Sequence, residues 1–142
     1  MKFWDSSALV PLVVSADATA WARKLLRSDP EALVWVVSPV EVRSALARRQ
    51  RDGTLARRGF QEARDRSLRL FGAMTHVVAL EPICARALRL VELHPLRAAD
   101  ALQLGAALVV SRERPGSLPF VTLDERLAEA AEKEGFPVET RG

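Results

Sequence analysis

The stretch that most restricts the fold of this chain lies between residues 32 and 41. Ala32-Leu33-Val34-Trp35-Val36-Val37 is a continuous apolar run rich in β-branched and aromatic residues, which suits a strand buried on both faces of a parallel sheet. A helix start follows at once, because Ser38-Pro39-Val40-Glu41 combines a serine N-cap, proline at the first helical position and glutamate at the third. A buried strand turning directly into a helix is the unit from which open α/β sheets are built.

The same unit recurs along the chain. Phe3-Trp4 is a short apolar run that ends in Asp5 and passes straight into residues 6–14, apolar with only Pro11 interrupting. Ala18, Trp21, Ala22, Leu25 and Leu26 then recur at helical spacing. Further helices are predicted over 38–51, stopping at Asp52-Gly53, and over 54–72, with a strand over 76–80. Helices over 82–93 and 97–111 are divided by His94-Pro95. A strand over 118–122, a helix over 125–134 and a short edge strand over 136–139 complete the chain, since Pro137 is hard to place in a central strand. Strands alternating with one or two helices imply right-handed crossovers and a mainly parallel, doubly wound sheet. The expected fold class is α/β.

With 142 residues, 49% hydrophobic and 27% charged, the chain is expected to form one soluble domain with a real core. The N-terminus lacks the pattern of a signal peptide, so a cytoplasmic protein is expected. The longest apolar run, 98–110, carries Asp100 and Gln103 and falls short of the roughly 20 residues needed to span a bilayer. Cys84 is the only cysteine, which excludes an internal disulfide or a cysteine zinc cluster; a core thiol is expected. Trp4, Trp21 and Trp35 lie in apolar patterns and are expected in the core, and His76 and His94 fit no metal spacing. The net charge is +3, but it is uneven: residues 41–70 hold nine arginines against four acids.

Four acids sit where such a fold places ligands, at the C-terminal edge of the sheet. Asp5 and Asp124 follow strands, Glu41 opens a helix after another, and Asp100 lies in the first turn of the most apolar helix. Each has a local explanation. Asp5 and Asp124 can cap helices, Glu41 can complete a capping box, and Asp100 can pair with Arg97 on its own helical face. Together they raise a problem of charge. Four carboxylates within ~5 Å repel by roughly 3 kcal/mol per pair at an effective dielectric of about 20. Either some hold protons with raised pKa, or a divalent cation neutralises them, and an all-oxygen site points to Mg²⁺ or Mn²⁺ rather than zinc. Ser7 and Thr122, each within two residues of an acid, can hold a carboxylate or a water behind the site.

Asp5-Ser6-Ser7-Ala8-Leu9, Ser38-Pro39-Val40-Glu41-Val42-Arg43-Ser44-Ala45-Leu46, Leu96-Arg97-Ala98-Ala99-Asp100-Ala101-Leu102-Gln103-Leu104 and Val121-Thr122-Leu123-Asp124-Glu125-Arg126-Leu127, read side by side, resemble the PIN-domain nucleases, and within them the VapC toxins of toxin–antitoxin pairs. The resemblance covers almost the whole chain. It implies a five-stranded parallel sheet between helices, an endoribonuclease using Mg²⁺ or Mn²⁺, a homodimer and a cognate antitoxin. Asp5, Glu41, Asp100 and Asp124 match the family's acidic quartet, and Ser7 and Thr122 its hydroxyl positions. Trp4 is bulkier than the usual aliphatic residue before the first acid, a difference expected to reshape the pocket entrance. Glu125 stands beside the fourth acid. Arg43, Arg48, Arg49 and Arg97 are candidate contacts for an RNA backbone or an acidic antitoxin segment.

Other chemistries also keep acids at strand ends. An aspartyl phosphatase usually has a second aspartate two residues after the first, where this chain has Ser7. A receiver domain wants an aspartate after the third strand and a late lysine; here Leu80 is followed by Glu81-Pro82, and Lys133 lies in a helix. A PIN fold that binds RNA or protein without cutting is the main rival, and no residue pattern reads a 2′-hydroxyl to separate RNA from DNA.

Overall fold

The computed structural model describes residues 1–142. Its elements are β1 (Lys2–Trp4), α1 (Ser6–Val13), α2 (Thr19–Ser28), β2 (Ala32–Trp35), α3 (Ser38–Arg51), α4 (Arg57–Gly72), β3 (Thr75–Val77), α5 (Leu80–Leu93), α6 (Ala98–Val110), β4 (Phe120–Val121), α7 (Glu125–Lys133) and β5 (Val138–Glu139). The five strands form one sheet in the order β3-β2-β1-β4-β5, and every pairing is parallel. The expected α/β class, strand number and edge position of the last strand are all borne out. No helix is long and apolar enough to cross a membrane.

Side-chain alternation along the strands divides the interior in two. Phe3, Leu33, Trp35 and Phe120 face one core, closed by Ile83, Leu90, Leu104 and Leu127 from α5, α6 and α7. Trp4, Val34 and Val121 face the other, closed by Leu9, Val42, Leu46, Ala63 and Phe71 from α1, α3 and α4. The Phe3 and Phe120 rings stack across neighbouring strands with centroids 5.5 Å apart. Gly105 lets α6 lie hard against α5, since a Cβ there would stand 3.0 Å from the Ile83 carbonyl oxygen. The predicted stop after residue 51 is also real: Gly53 takes φ +84°, a left-handed conformation natural to glycine.

Several local expectations change. The run 32–37 is a strand only to Trp35, and Val36 and Val37 are exposed. The helix therefore starts from Val37, which makes no side-chain cap, and Ser38 falls inside it. Trp4 does not reshape any entrance, because it is fully buried in the core. Trp35 is also buried, and Trp21 packs against the second core. Cys84 is not a core thiol; it is half-buried in an apolar groove between α5 and α6.

The topology fixes where a site belongs. From β1 the chain moves to β2 and β3 on one side and returns to β4 and β5 on the other. The crevice outside the C-terminal ends of β1 and β4 is the switch point, where open sheets bind ligands.

Candidate active site

At that switch point the register Trp4↔Val121 brings Asp5 beside Thr122, and Asp5 N–H donates to the Val121 carbonyl at 2.9 Å. Asp5 is also the N-cap of α1. Its Oδ2 accepts from Ser7 N–H (3.2 Å), from the Ser7 hydroxyl and from Thr122 Oγ1 (2.9 Å). The two hydroxyls are themselves held by backbone: Ser7 Oγ accepts from Leu123 N–H at 2.9 Å and Thr122 Oγ1 from Asp124 N–H at 3.0 Å. All three donors to Asp5 converge on one oxygen, leaving Oδ1 as the oxygen with lone pairs to offer a ligand. Burial pushes Asp5 up to about 6, Asp100 adds to the effect, and the Ser7 and Thr122 hydrogen bonds oppose it.

Glu41 projects from the first turn of α3. Its Oε1 accepts from Gln103 Nε2 at 2.8 Å, so it does not close a capping box. Burial pushes it up to about 7, with Asp5 and Asp100 adding to the rise and Gln103 and Ser6 opposing it. Asp100 lies in the first turn of α6 as expected. It is raised by burial and then by Asp124, while Arg97 acts against the rise. Asp124 is the N-cap of α7, accepting from Leu127 N–H at 3.0 Å through Oδ1. The capping explanation for Asp5 and Asp124 therefore holds, and each cap leaves the second oxygen of its carboxylate uncommitted to the helix.

The four acids form one electrostatic cluster, for the charges of Asp5, Asp100 and Asp124 each raise a neighbour. A cavity of about 720 Å³ opens beside three of them, lined by Glu41, Asp100, Asp124 and Glu125 and rimmed by Arg48, Arg97 and Arg126, while Asp5 is buried and does not line it. A second cavity of about 640 Å³ shares Arg48 and takes in Ser7, Arg49 and Arg141. Arg48 and Arg97 thus stand beside the acids, while Arg49 lines only the neighbouring cavity, which holds none of the four. Arg43 is not beside them either: it lines a separate pocket with Val40 and Ala47, and its buried Nε lacks a partner.

Hard carboxylate oxygens with raised proton affinity suit a divalent cation of the Mg²⁺ or Mn²⁺ type. In this conformation, however, no group of three or more acidic, histidine or cysteine side chains is arranged to hold a metal ion. The chemistry of the donors fits; their side chains are not preassembled.

Sequence reasoning missed Arg126, Ser6, Ser38 and Gln103 as site residues. Gln103 is fully buried, and its Nε2 meets Ser6 Oγ (2.8 Å), Ser38 Oγ (3.1 Å) and Glu41. A lone amide in the most apolar helix, three residues after Asp100 and so on its face, was the available signal.

The family model described as the PIN domain matches residues 2–133. Solved structures of similar fold include a toxin–antitoxin complex from Klebsiella pneumoniae, at 17% identity over 99% of this chain and 97% of that one, with TM-score 0.69. PAE2754 from Pyrobaculum aerophilum is 19% identical over 91% and 83% of the two chains, with TM-score 0.66. FitAcB from Neisseria gonorrhoeae is 18% identical over 97% and 96%, with TM-score 0.62. Among curated proteins none matches significantly. At these identities the solved structures speak for the fold, and the family model spans the four acids and strands β1 to β4: the chain belongs to the PIN domain family.

Proposed function

We propose that the protein is a metal-dependent endoribonuclease that hydrolyses RNA phosphodiester bonds, acting in the cytoplasm as the toxin of a VapC-type toxin–antitoxin pair. The observation that carries this reading is the linked acidic cluster at the sheet's switch point, in which burial and mutual repulsion raise Asp5, Glu41 and Asp100 together. Such a cluster is unfavourable by itself and becomes favourable when a cation enters.

Asp5 and Asp100 are the proposed direct ligands of Mg²⁺ or Mn²⁺, with Glu41 and Asp124 holding a second ion or orienting water. When bound, such ions activate water and stabilise charge on a scissile phosphate and its leaving oxygen. The chain's own residues do the rest. Ser7 and Thr122 fix one Asp5 oxygen and so aim the other. Arg48, Arg97 and Arg126 at the cavity rim draw in phosphates that the acids alone would repel.

Two partners belong to the same reading. The arginine-rich faces of α3 and α4 suit an acidic antitoxin segment, and two of the similar folds come from a toxin–antitoxin complex and from FitAcB. Val40, Val78, Leu80 and Leu88 are exposed by 61–70%, apolar side chains that a homodimer would cover.

A second reading is a binding module that holds RNA without cutting, through the Arg48, Arg97 and Arg126 rim of the cavity. One assay separates the two. The purified protein is incubated with a mixed pool of structured RNAs and with DNA of matching sequence, in Mg²⁺, Mn²⁺ or EDTA. Metal-dependent cutting of RNA is expected. RNA bound but intact under all three conditions would favour the binding module.

A further inference from the structure

We infer that Gln103 is a positioning residue, whose buried amide fixes the Glu41 carboxylate relative to Asp5 and Asp100; this rests on the nuclease reading above. Gln103 stands on α6 one turn beyond Asp100. Its Nε2 reaches Ser6, next to Asp5 at the start of α1, and also Ser38 and Glu41 at the start of α3. One amide therefore ties together the three elements that carry Asp5, Glu41 and Asp100.

The other end of the amide makes the case for function. Gln103 Oε1 is buried without a hydrogen-bond partner. A buried carbonyl left unpaired is unfavourable, and an apolar side chain of the same length would avoid it. Turning the amide over would offer Oε1 the Ser38 hydroxyl as a donor, the Ser6 proton being engaged by Glu41, but would set it against the Glu41 carboxylate. The orientation is thus dictated by Glu41, not by the amide's own satisfaction. Glu41 is half-buried, and apart from Gln103 and Ser6 it faces acids; without the amide, nothing on α6 restrains its rotation toward the cavity.

The test is a double-mutant cycle with Gln103→Met, which keeps length and volume but removes the donor, in wild-type and Glu41→Gln backgrounds. Three readouts apply: melting temperature, kcat and KM on RNA cut by the wild type, and Mn²⁺ binding followed by the electron paramagnetic resonance of free Mn²⁺. Gln103→Met is expected to melt near the wild-type temperature and to lose about 10- to 100-fold in kcat, with KM unchanged. The Mn²⁺ midpoint should rise, and in the Glu41→Gln background the same change should add nothing further. Equal losses in both backgrounds, or wild-type kcat and midpoint, would overturn the inference; Gln103→Leu replaces Gln103→Met if the latter does not fold. If the wild type cuts no RNA, the nuclease reading fails, and the Mn²⁺ titrations of the four proteins still decide the role of Gln103. A wild type that binds no Mn²⁺ overturns both.

Discussion

Thr122 Oγ1 donates to Asp5 Oδ2 at 2.9 Å across the junction of β1 and β4, while accepting from Asp124 N–H. One hydroxyl thus joins the carboxylate ending the first strand to the loop presenting the fourth acid. Thr122→Val keeps the shape and removes both bonds, leaving a backbone N–H unpaired. The expected result is a loss of ~1–3 kcal/mol in stability and about 10- to 100-fold in cleavage rate. Chemical denaturation and single-turnover cleavage check the two parts separately.

The raised proton affinity of Asp5 predicts how the metal-free protein responds to pH. Its folded pKa of about 6 lies above the ordinary 3.8, so the native state binds the proton more tightly than the unfolded chain. The stability that Asp5 contributes therefore falls as pH rises from about 4, and its loss is complete above about 7. The shift corresponds to ~3 kcal/mol at one pH unit per 1.36 kcal/mol. Asp5→Asn should flatten this fall, giving a melting temperature above the wild type's at pH 8 in EDTA and no such gain at pH 4.

Cation binding should reverse the same penalty. Mn²⁺ added at pH 8, where the acids are ionised, is expected to raise the melting temperature, and EDTA to cancel the gain. At pH 4.5 protons compete for Asp5 and Glu41, both raised, so the gain should be much smaller. Equal stabilisation at both pH values would place the cation away from this cluster.

These expectations rest on features of unequal visibility in the sequence. The sheet was legible because the apolar runs read at 32–37 and 118–122 are each followed closely by a helix start. Their ends were not: Val36 and Val37 have strand composition, yet the chain leaves the sheet after Trp35 and both are exposed. Asp5, Glu41, Asp100 and Asp124 were legible because each stands just beyond a strand or in the first turn of a helix. Ser38 and Glu41 were misread as a capping box, since the same local pattern also serves a contact with a distant helix. That contact, Gln103 to Ser6, Ser38 and Glu41, spans 97, 65 and 62 residues and has no local signature. Arg43 and Arg48 looked equivalent in a basic stretch; five residues apart on a helix, they fall on different faces, and only Arg48 meets the acids.

The most direct measurement is cleavage of RNA in Mn²⁺ by wild-type protein and by Asp100→Asn, with circular dichroism recorded for both. Asp100 is half-buried in the first turn of α6, raised by its surroundings, and asparagine fits the same space without the charge. A native spectrum is expected for both proteins, with cutting by the wild type alone and the variant at the level seen in EDTA. Wild-type cutting by a natively folded Asp100→Asn protein would contradict the proposed role of Asp100.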